Sequence, residues 1–526
     1  MDLISNQFDK NEWKRWERRR SRKIKPISYL SLFLFCFLAY LPILKSDFLW
    51  NDYDQVTRSF FPSLNSWTAI FNPTILWNEN LLALLSYFLE RLLPFDIAFT
   101  HHLINIFLHC FASILLLKLL NRMHISGAFL ATLLCAVHPV VVQTLFFPGY
   151  RSMIIALCLL LLSLYYALDR DRKNSYTIAV ILSGATALIH PVALLIPLVL
   201  ILRSFSKFGT FRLENINTIV PFILIVFVLN ICSETAEKNA IGVFGIDPLI
   251  DQSGTAGISY QIIEYLRLIY LPFEGAFFIP ISEKGNVINA FIVNVLPIVL
   301  FSSLYLFCIY FIQRIWGRLL IMGLSLILPL IIFSACQKGL FLDGTAALDE
   351  NLVYITLIPC VVTVFSTLNA VFAYKIPRLH FLWLCIAWTI ILASTALTVK
   401  RSMVLSDSFL MWEYFEKQWP ESTIPKHAIS DYLEANSSEN YTLNNRIRMV
   451  EFILKDEPDN TEKSILLARL YVEAGQDTNA VKQYKKIVSQ VGESEPKIIK
   501  EAADYFEVRG LYWDARKTRS LLDKVE

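Results

Sequence analysis

An all-α, polytopic membrane fold with a C-terminal helical-repeat region is what this sequence predicts, and three observations predict it. Apolar runs of bilayer-spanning length recur from Ile27 to Val399. Hydrophobic residues make up 55% of the chain and charged residues 18%, with a mean hydropathy of +0.48, a balance that places most of it in lipid. Residues 401–526, by contrast, are charged, mixed and free of long apolar runs.

Taken in order, residues 1–26 form a basic lead-in, with KNEWKRWERRRSRKIK at 10–25. No small-residue cleavage site follows the first apolar stretch, so the segment reads as a cytoplasmic anchor rather than a signal peptide. A spanning helix needs about 20 apolar residues. Eleven segments within the predicted membrane domain, 27–400, fit that ruler: 28–45, 97–119, 126–146, 151–168, 176–190, 191–203, 216–233, 290–312, 319–336, 352–373 and 380–399. The fifth and sixth are short and share His190-Pro191 as a hinge. With the N-terminus inside, Arg122, DRDRK (Asp169 to Lys173), RSFSKFGTFR (Arg203 to Arg212), QRIWGR (Gln313 to Arg318) and YKIPR (Tyr374 to Arg378) all fall in inward loops, as the positive-inside rule requires. The odd number of spans then puts the C-terminal region outside. Two outward loops, 46–96 and 233–289, are long and contain amphipathic stretches suited to the bilayer interface.

The net charge of +3 is small and the basic residues sit beside spans. They argue for topology and anionic headgroups and against nucleic acid. All nine cysteines lie in or at the ends of apolar segments without zinc spacing, which points to buried thiols. Cys232 and Cys336, near outer boundaries, are the one candidate pair.

The C-terminal region repeats. Gly475 and Ala480 match Gly510 and Ala515 at a period of 35, and Leu467, Ala468 and Tyr471 match Ala502, Ala503 and Phe506. Small residues at these places let antiparallel helices pack closely, and the glycines make the turns. A degenerate copy is expected before them, from His427 to Asp459.

Several polar groups sit where they are costly. Asp52 and Asp54, in DFLWNDYDQV (Asp47 to Val56), lie just beyond the first span and are base candidates for chemistry on a lipid-delivered substrate; capping a helix or facing water is their plain alternative. Arg151 in FFPGYRSM starts the fourth span on the outer side, placed to bind a phosphate or to snorkel to lipid phosphates. His101, His102, His109, His138 and His190 are intramembrane histidines, a class that is either functional or hydrogen-bonded core. Asp349 and Glu350 open the tenth span. With Asp52 they are candidates for a divalent cation, and Glu350 is a candidate partner for Arg151; no spacing selects a metal site.

These pieces, in this order, resemble the GT-C class of membrane glycosyltransferases, and most closely the transmembrane and tetratricopeptide repeat-containing O-mannosyltransferases and their bacterial relatives. DFLWND resembles that family's first-loop string, HHLINIFLHC its His, Asn and His pattern, HPVVVQTLFFPGYR its histidine-proline segment, and ENLVYITLIP its later Glu-Arg-Tyr string. Trp412 followed by helical repeats resembles its exit from the membrane. The resemblance implies Asp52 as or near the catalytic base, Arg151 facing the lipid phosphate, and Glu350 and Tyr354 on the later motif. The last three, together with Asp54, His102 and His138 from the residues themselves, are the expected substrate-binding set. It also implies a polyprenyl-phosphate-linked sugar as donor, a protein hydroxyl as acceptor, and tetratricopeptide-like repeats that present that acceptor. His190-Pro191 stands where the family tends to have a Lys-Glu pair, and four single positions also depart from the pattern. Asn51, Gln143, Tyr150 and Asn351 replace an aspartate, a glutamate, a glycine and an arginine, and amides cannot act as bases at neutral pH. The second expectation is therefore a catalytically weakened scaffold of the same fold, binding envelope or secretion proteins through its repeats. A bacterial inner membrane, with the repeats in the periplasm, is the expected location; the endoplasmic reticulum is the alternative in a eukaryote.

Overall fold

The computed structural model describes residues 26–46, 48, 81–90, 93–169, 174–208, 218–229, 266–272, 323–327, 338–340, 346–348, 351–374, 376–407, 410–412, 414, 443–456, 458–491 and 495–522. The chain divides into two units, Met1–Ser408 and Phe409–Glu526. The predicted boundary at 400/401 falls inside a helix that runs to Leu405.

Unit one is a helical bundle. Its helices are α1 (Pro26–Ala39), α2 (Leu81–Glu90), α3 (Ile97–Arg122), α4 (Ala128–Ala136), α5 (Val141–Phe146), α6 (Arg151–Ala167), α7 (Ser175–Ile189), α8 (Leu195–Phe208), α9 (Thr218–Leu229), α10 (Asn351–Tyr374) and α11 (His380–Leu405). A two-stranded antiparallel hairpin, β1 (Lys338–Leu340) with β2 (Ala346–Leu348), precedes α10. Three stretches, Ile97–Arg122, Val353–Ala373 and Pro377–Leu405, are long and apolar enough to cross a membrane among the described residues. The helices over the first, fourth, fifth, sixth and seventh predicted spans are apolar but shorter. The eighth lies outside the described residues, and only 323–327 of the ninth are described.

The axis of the bundle is α3, which packs against α1, α4, α5 and α6. At 26 residues it extends about 39 Å, more than a hydrocarbon core. Asp96 caps its start by accepting the Phe99 N–H at 2.9 Å, the usual N-cap arrangement. At its far end Arg122 pairs with Asp169 at 2.8 Å and lies over the Tyr165 ring. The charge rule had assigned both residues to the same side, and here they meet.

The third predicted span is not one helix. It splits into α4 and α5 around Val137–Val140, because Pro139 has no N–H and its ring excludes a continuous helical turn. Four carbonyls at the break find donors. The Ala136 oxygen accepts from the Tyr40 hydroxyl at 3.0 Å and from His109 Nε2 at 3.0 Å. The Val137 oxygen accepts from the Thr398 hydroxyl at 2.7 Å. The His138 oxygen accepts from Tyr40 and the Val141 N–H, and the Pro139 oxygen from Arg401 and the Val142 N–H. Irregular backbone at membrane depth is tolerated only when protein satisfies it in this way.

Unit two is a set of antiparallel helices: α12 (Leu443–Asp456), α13 (Thr461–Glu473), α14 (Asp477–Val491), α15 (Pro496–Val508) and α16 (Tyr512–Arg519). The 35-residue period is visible in the packing. Leu467, Ala468, Tyr471 and Ala480 are buried, as are Ala502, Ala503, Phe506 and Ala515. Gly475 and Gly510 adopt positive φ, 67° and 76°, and each closes its helix with the same bond pair. The Gln476 N–H reaches the Tyr471 oxygen and the Gly475 N–H the Val472 oxygen; one period later Leu511 reaches Phe506 and Gly510 reaches Glu507. This is the Schellman closure, and its left-handed position favours glycine. The degenerate copy lies partly outside the described residues, with α12 its visible helix.

Candidate functional site

At the start of α6 one guanidinium organises a buried cluster. Arg151 has no exposed surface, and protein groups surround its guanidinium on every side. Nε donates to Asn105 Oδ1 at 2.7 Å. One terminal nitrogen donates to Ser86 Oγ at 3.0 Å and to the Glu90 carboxylate. The other reaches His101 Nδ1 and the His101 carbonyl, both at 2.9 Å. The Tyr87 ring lies beneath the guanidinium at 4.8 Å, adding a cation–π contact. The second Glu90 oxygen is 3.3 Å from His101 Nδ1. Glu90 and Arg151 together form a neutral pair with both side chains fully buried, so neither charge is left uncompensated.

Sequence reasoning missed Glu90 and offered Glu350 as the partner instead. Glu90 had read as part of an interfacial stretch, LLALLSYFLERLLPF. Its signal was the spacing: Ser86 and Glu90 are four apart and Tyr87 is three before Glu90, so all three share one face of α2. All three face Arg151.

Helix α3 supplies the remaining members. Asn105 bridges the cluster to α5 by donating to the Leu145 oxygen at 3.0 Å, and its amide nitrogen is 3.2 Å from His101 Nε2. His102 is fully buried, stacked on Phe146 at 5.4 Å and tilted against Phe48 at 6.0 Å. Phe48, at the start of the segment expected to be the first outward loop, also contacts His101 edge-on. The loop that contains Asp52 and Asp54 therefore begins beside this cluster.

One turn and more along α3, His109 Nε2 donates to the Ala136 oxygen, which leaves Nδ1 to accept from the Tyr354 hydroxyl at 2.8 Å. The tautomer follows from the partners. Tyr354 thus joins α10 to α3 across 245 positions of sequence.

His138 has a different task. Its Nδ1 accepts the Val140 N–H at 3.3 Å and its Nε2 donates to the Ile269 oxygen at 3.0 Å. It holds the turn that leads into α5. His190 does the same at the second His-Pro-Val: Nδ1 accepts the Val192 N–H at 3.1 Å, and α7 ends one residue earlier. Of the two, His190 stands at the N-cap position, of the short turn Pro191–Leu194. The substrate-binding role expected of His138 therefore falls on a residue with both ring nitrogens engaged. Beside it, between α4, α10 and α11, lies a mainly apolar cleft of ≈ 320 Å³ lined by His138, Tyr270, Phe365, Trp383 and Leu397 among others.

Asp52, Asp54 and Glu350 lie outside the described residues, as do Asn51, Asp349, Cys232 and Cys336. The expected cation set therefore has none of its members among the described residues, where no group of three His, Cys, Asp or Glu side chains is arranged to hold a metal ion. Cys36, Cys110, Cys135, Cys158 and Cys360 are buried free thiols, and Cys385 is an exposed one. Compared with known proteins, the chain matches no family model and no curated protein.

Proposed function

We propose that this protein is a membrane-embedded glycosyltransferase of GT-C type. It would move a sugar from a polyprenyl-phosphate-linked donor to a protein hydroxyl on the extracytoplasmic side. The observation that supports this reading is convergence. Strings far apart in sequence, HHLINIFLH, FFPGYR and NLVYITL, meet through Arg151 with Asn105 and His101, and through His109 with Tyr354. They do so beside Phe48, where the acidic loop begins.

In this reading Asp52 removes the proton of the acceptor hydroxyl as it attacks the anomeric carbon. The bond from that carbon to the phosphate oxygen breaks, and the polyprenyl phosphate leaves with the charge. Arg151 faces that phosphate by giving up its contact with Glu90, an exchange of one anion for another. The apolar cleft has room for part of an isoprenoid chain, and no step is routed through a metal. The helical pairs of unit two act as tetratricopeptide-like repeats that hold the acceptor. The protein sits in a bacterial inner membrane with its N-terminus cytoplasmic.

One observation favours the second reading, a scaffold of the same fold without activity. Arg151 is already engaged by protein acceptors, Asn105, Ser86, Glu90 and the His101 carbonyl, and the amides Asn51 and Gln143 stand where the resembled family has acids. The two readings part on one experiment: mass spectrometry of envelope glycopeptides from cells lacking the protein, restored with wild type or Asp52→Asn at matched abundance. A sugar mass that disappears on deletion and returns only with wild type supports the transferase. Full restoration by Asp52→Asn leaves the scaffold.

A further inference from the structure

The turn between α15 and α16 holds large apolar side chains in the open. Val508, Tyr512 and Trp513 are 80%, 69% and 72% exposed, whereas Ile499, Phe506 and Tyr484 of the same region are buried. They flank a single tip, where the positive-φ Gly510 turns the chain between α15 and α16. Exposed aromatic clusters of this kind mark an interaction site.

The charges beside them indicate the partner. Tyr512 and Arg516 are four residues apart, as are Trp513 and Lys517, so each aromatic shares a face of α16 with a cation one turn further along. Lys517 sits 5.1 Å from the Trp513 ring. The other ionic groups of this helix are engaged: Asp514 with Lys485, and Arg519 with Asp504 and Glu507. Arg516 and Lys517 have no acidic partner among the described residues and lie beside the tip as free positive charge.

We infer that this tip docks on an anionic phospholipid surface. Tyr512 and Trp513 would enter the headgroup layer, where amphipathic rings are favoured. Arg516 and Lys517, about 6 Å further along the helix, would meet the phosphates. A second copy of the chain fits less well, because a two-fold contact through the tip brings the same cations together. A bilayer is close at hand: the long apolar helix α11 ends at Leu405 and unit two starts at Phe409. This tether keeps the effective concentration high, so a weak patch suffices. The inference is independent of glycosyl transfer, since a scaffold would dock in the same way.

Hydroxyl-radical footprinting of the full-length protein in nanodiscs tests it, with phosphatidylcholine alone or mixed with phosphatidylglycerol. The expected result is severalfold slower labelling of Tyr512 and Trp513 in the anionic discs than in phosphatidylcholine. That protection should be lost in high salt and in Arg516→Glu/Lys517→Glu, whose altered positions are exposed and leave Ala515 and Thr518 packed. Labelling as fast in anionic discs as in the charge-reversed variant overturns the inference. So does protection seen in intact cells and absent from both discs, which assigns the tip to a protein partner instead.

Discussion

Two Arg–Glu pairs, one in each unit, place the same chemistry in opposite surroundings. Arg151–Glu90 is sealed on both sides. Arg469–Glu501 is bidentate, at 2.9 and 2.7 Å, yet its arginine is more than half exposed. Good geometry alone sets neither value. In water the attraction is screened and the pair contributes little. In a dry site the gain is larger, but so is the loss when one partner is removed.

The largest effect should come from breaking the dry pair. Glu90→Leu leaves the Arg151 charge buried without a counter-ion and should cost about 3–5 kcal/mol, read as lowered unfolding stability in bicelles. The double change Glu90→Leu/Arg151→Met should recover most of that loss. If the double variant is no more stable than the single one, the pair is not the stabilising unit described here.

Next in size is the helix break. Thr398→Val removes the side-chain donor to the Val137 oxygen and should cost about 1–3 kcal/mol, the penalty of an unpaired buried carbonyl. Tyr40→Phe should cost less, since Ala136 keeps His109 and His138 keeps the Val141 N–H. The order of these two variants on one unfolding assay checks the bonding scheme.

In unit two, Gly475→Ala and Gly510→Ala should each cost about 1–2 kcal/mol for left-handed backbone. Nothing lies within 4 Å of either added carbon, so no steric cost is added. Equal losses in thermal unfolding would support the repeat equivalence; a clear inequality would count against it.

Smaller still is the wet pair. Hydrogen bonding to Arg469, and after it to Tyr484, holds the Glu501 carboxyl below its ordinary range. A group that is more acidic in the folded state stabilises above the unfolded value and loses that contribution as pH falls through the folded one. Arg469→Ala should therefore flatten the acid limb of stability between the ordinary carboxylate range and lower pH. At neutral pH it should cost under about 1 kcal/mol. Arg519→Ala, which removes two exposed surface pairs, with Asp504 and Glu507, should leave thermal stability unchanged.

The legible and illegible parts of this molecule divide along similar lines. The 35-residue period was readable because each copy needs the same small residue at the same crossing and a glycine at the same turn. The hinge at His190-Pro191 was readable from two short apolar runs. The same tripeptide at His138-Pro139-Val140 was passed over, because the flanking residues stay apolar and disguise two helices as one span. Arg151 was found from its position alone, but its partner was not. A carboxylate 61 residues upstream on an amphipathic stretch looks solvated until the fold turns that face inward. Asp52, Asp54 and Glu350, on which the chemistry of the proposal turns, lie outside the described residues.

The broken helix also constrains how the protein is made. The Val137 and Pro139 carbonyls receive their side-chain donors from Thr398 and Arg401, 261 and 262 positions later. A ribosome has long finished α4 and α5 before it synthesises the residues that complete them. Until α11 arrives, the break exposes polar backbone to lipid or to a surrogate partner. Arrival of the last long helix is therefore the event that completes the α4–α5 break. A chain truncated before residue 398 should present to membrane quality control a defect located far from its own end.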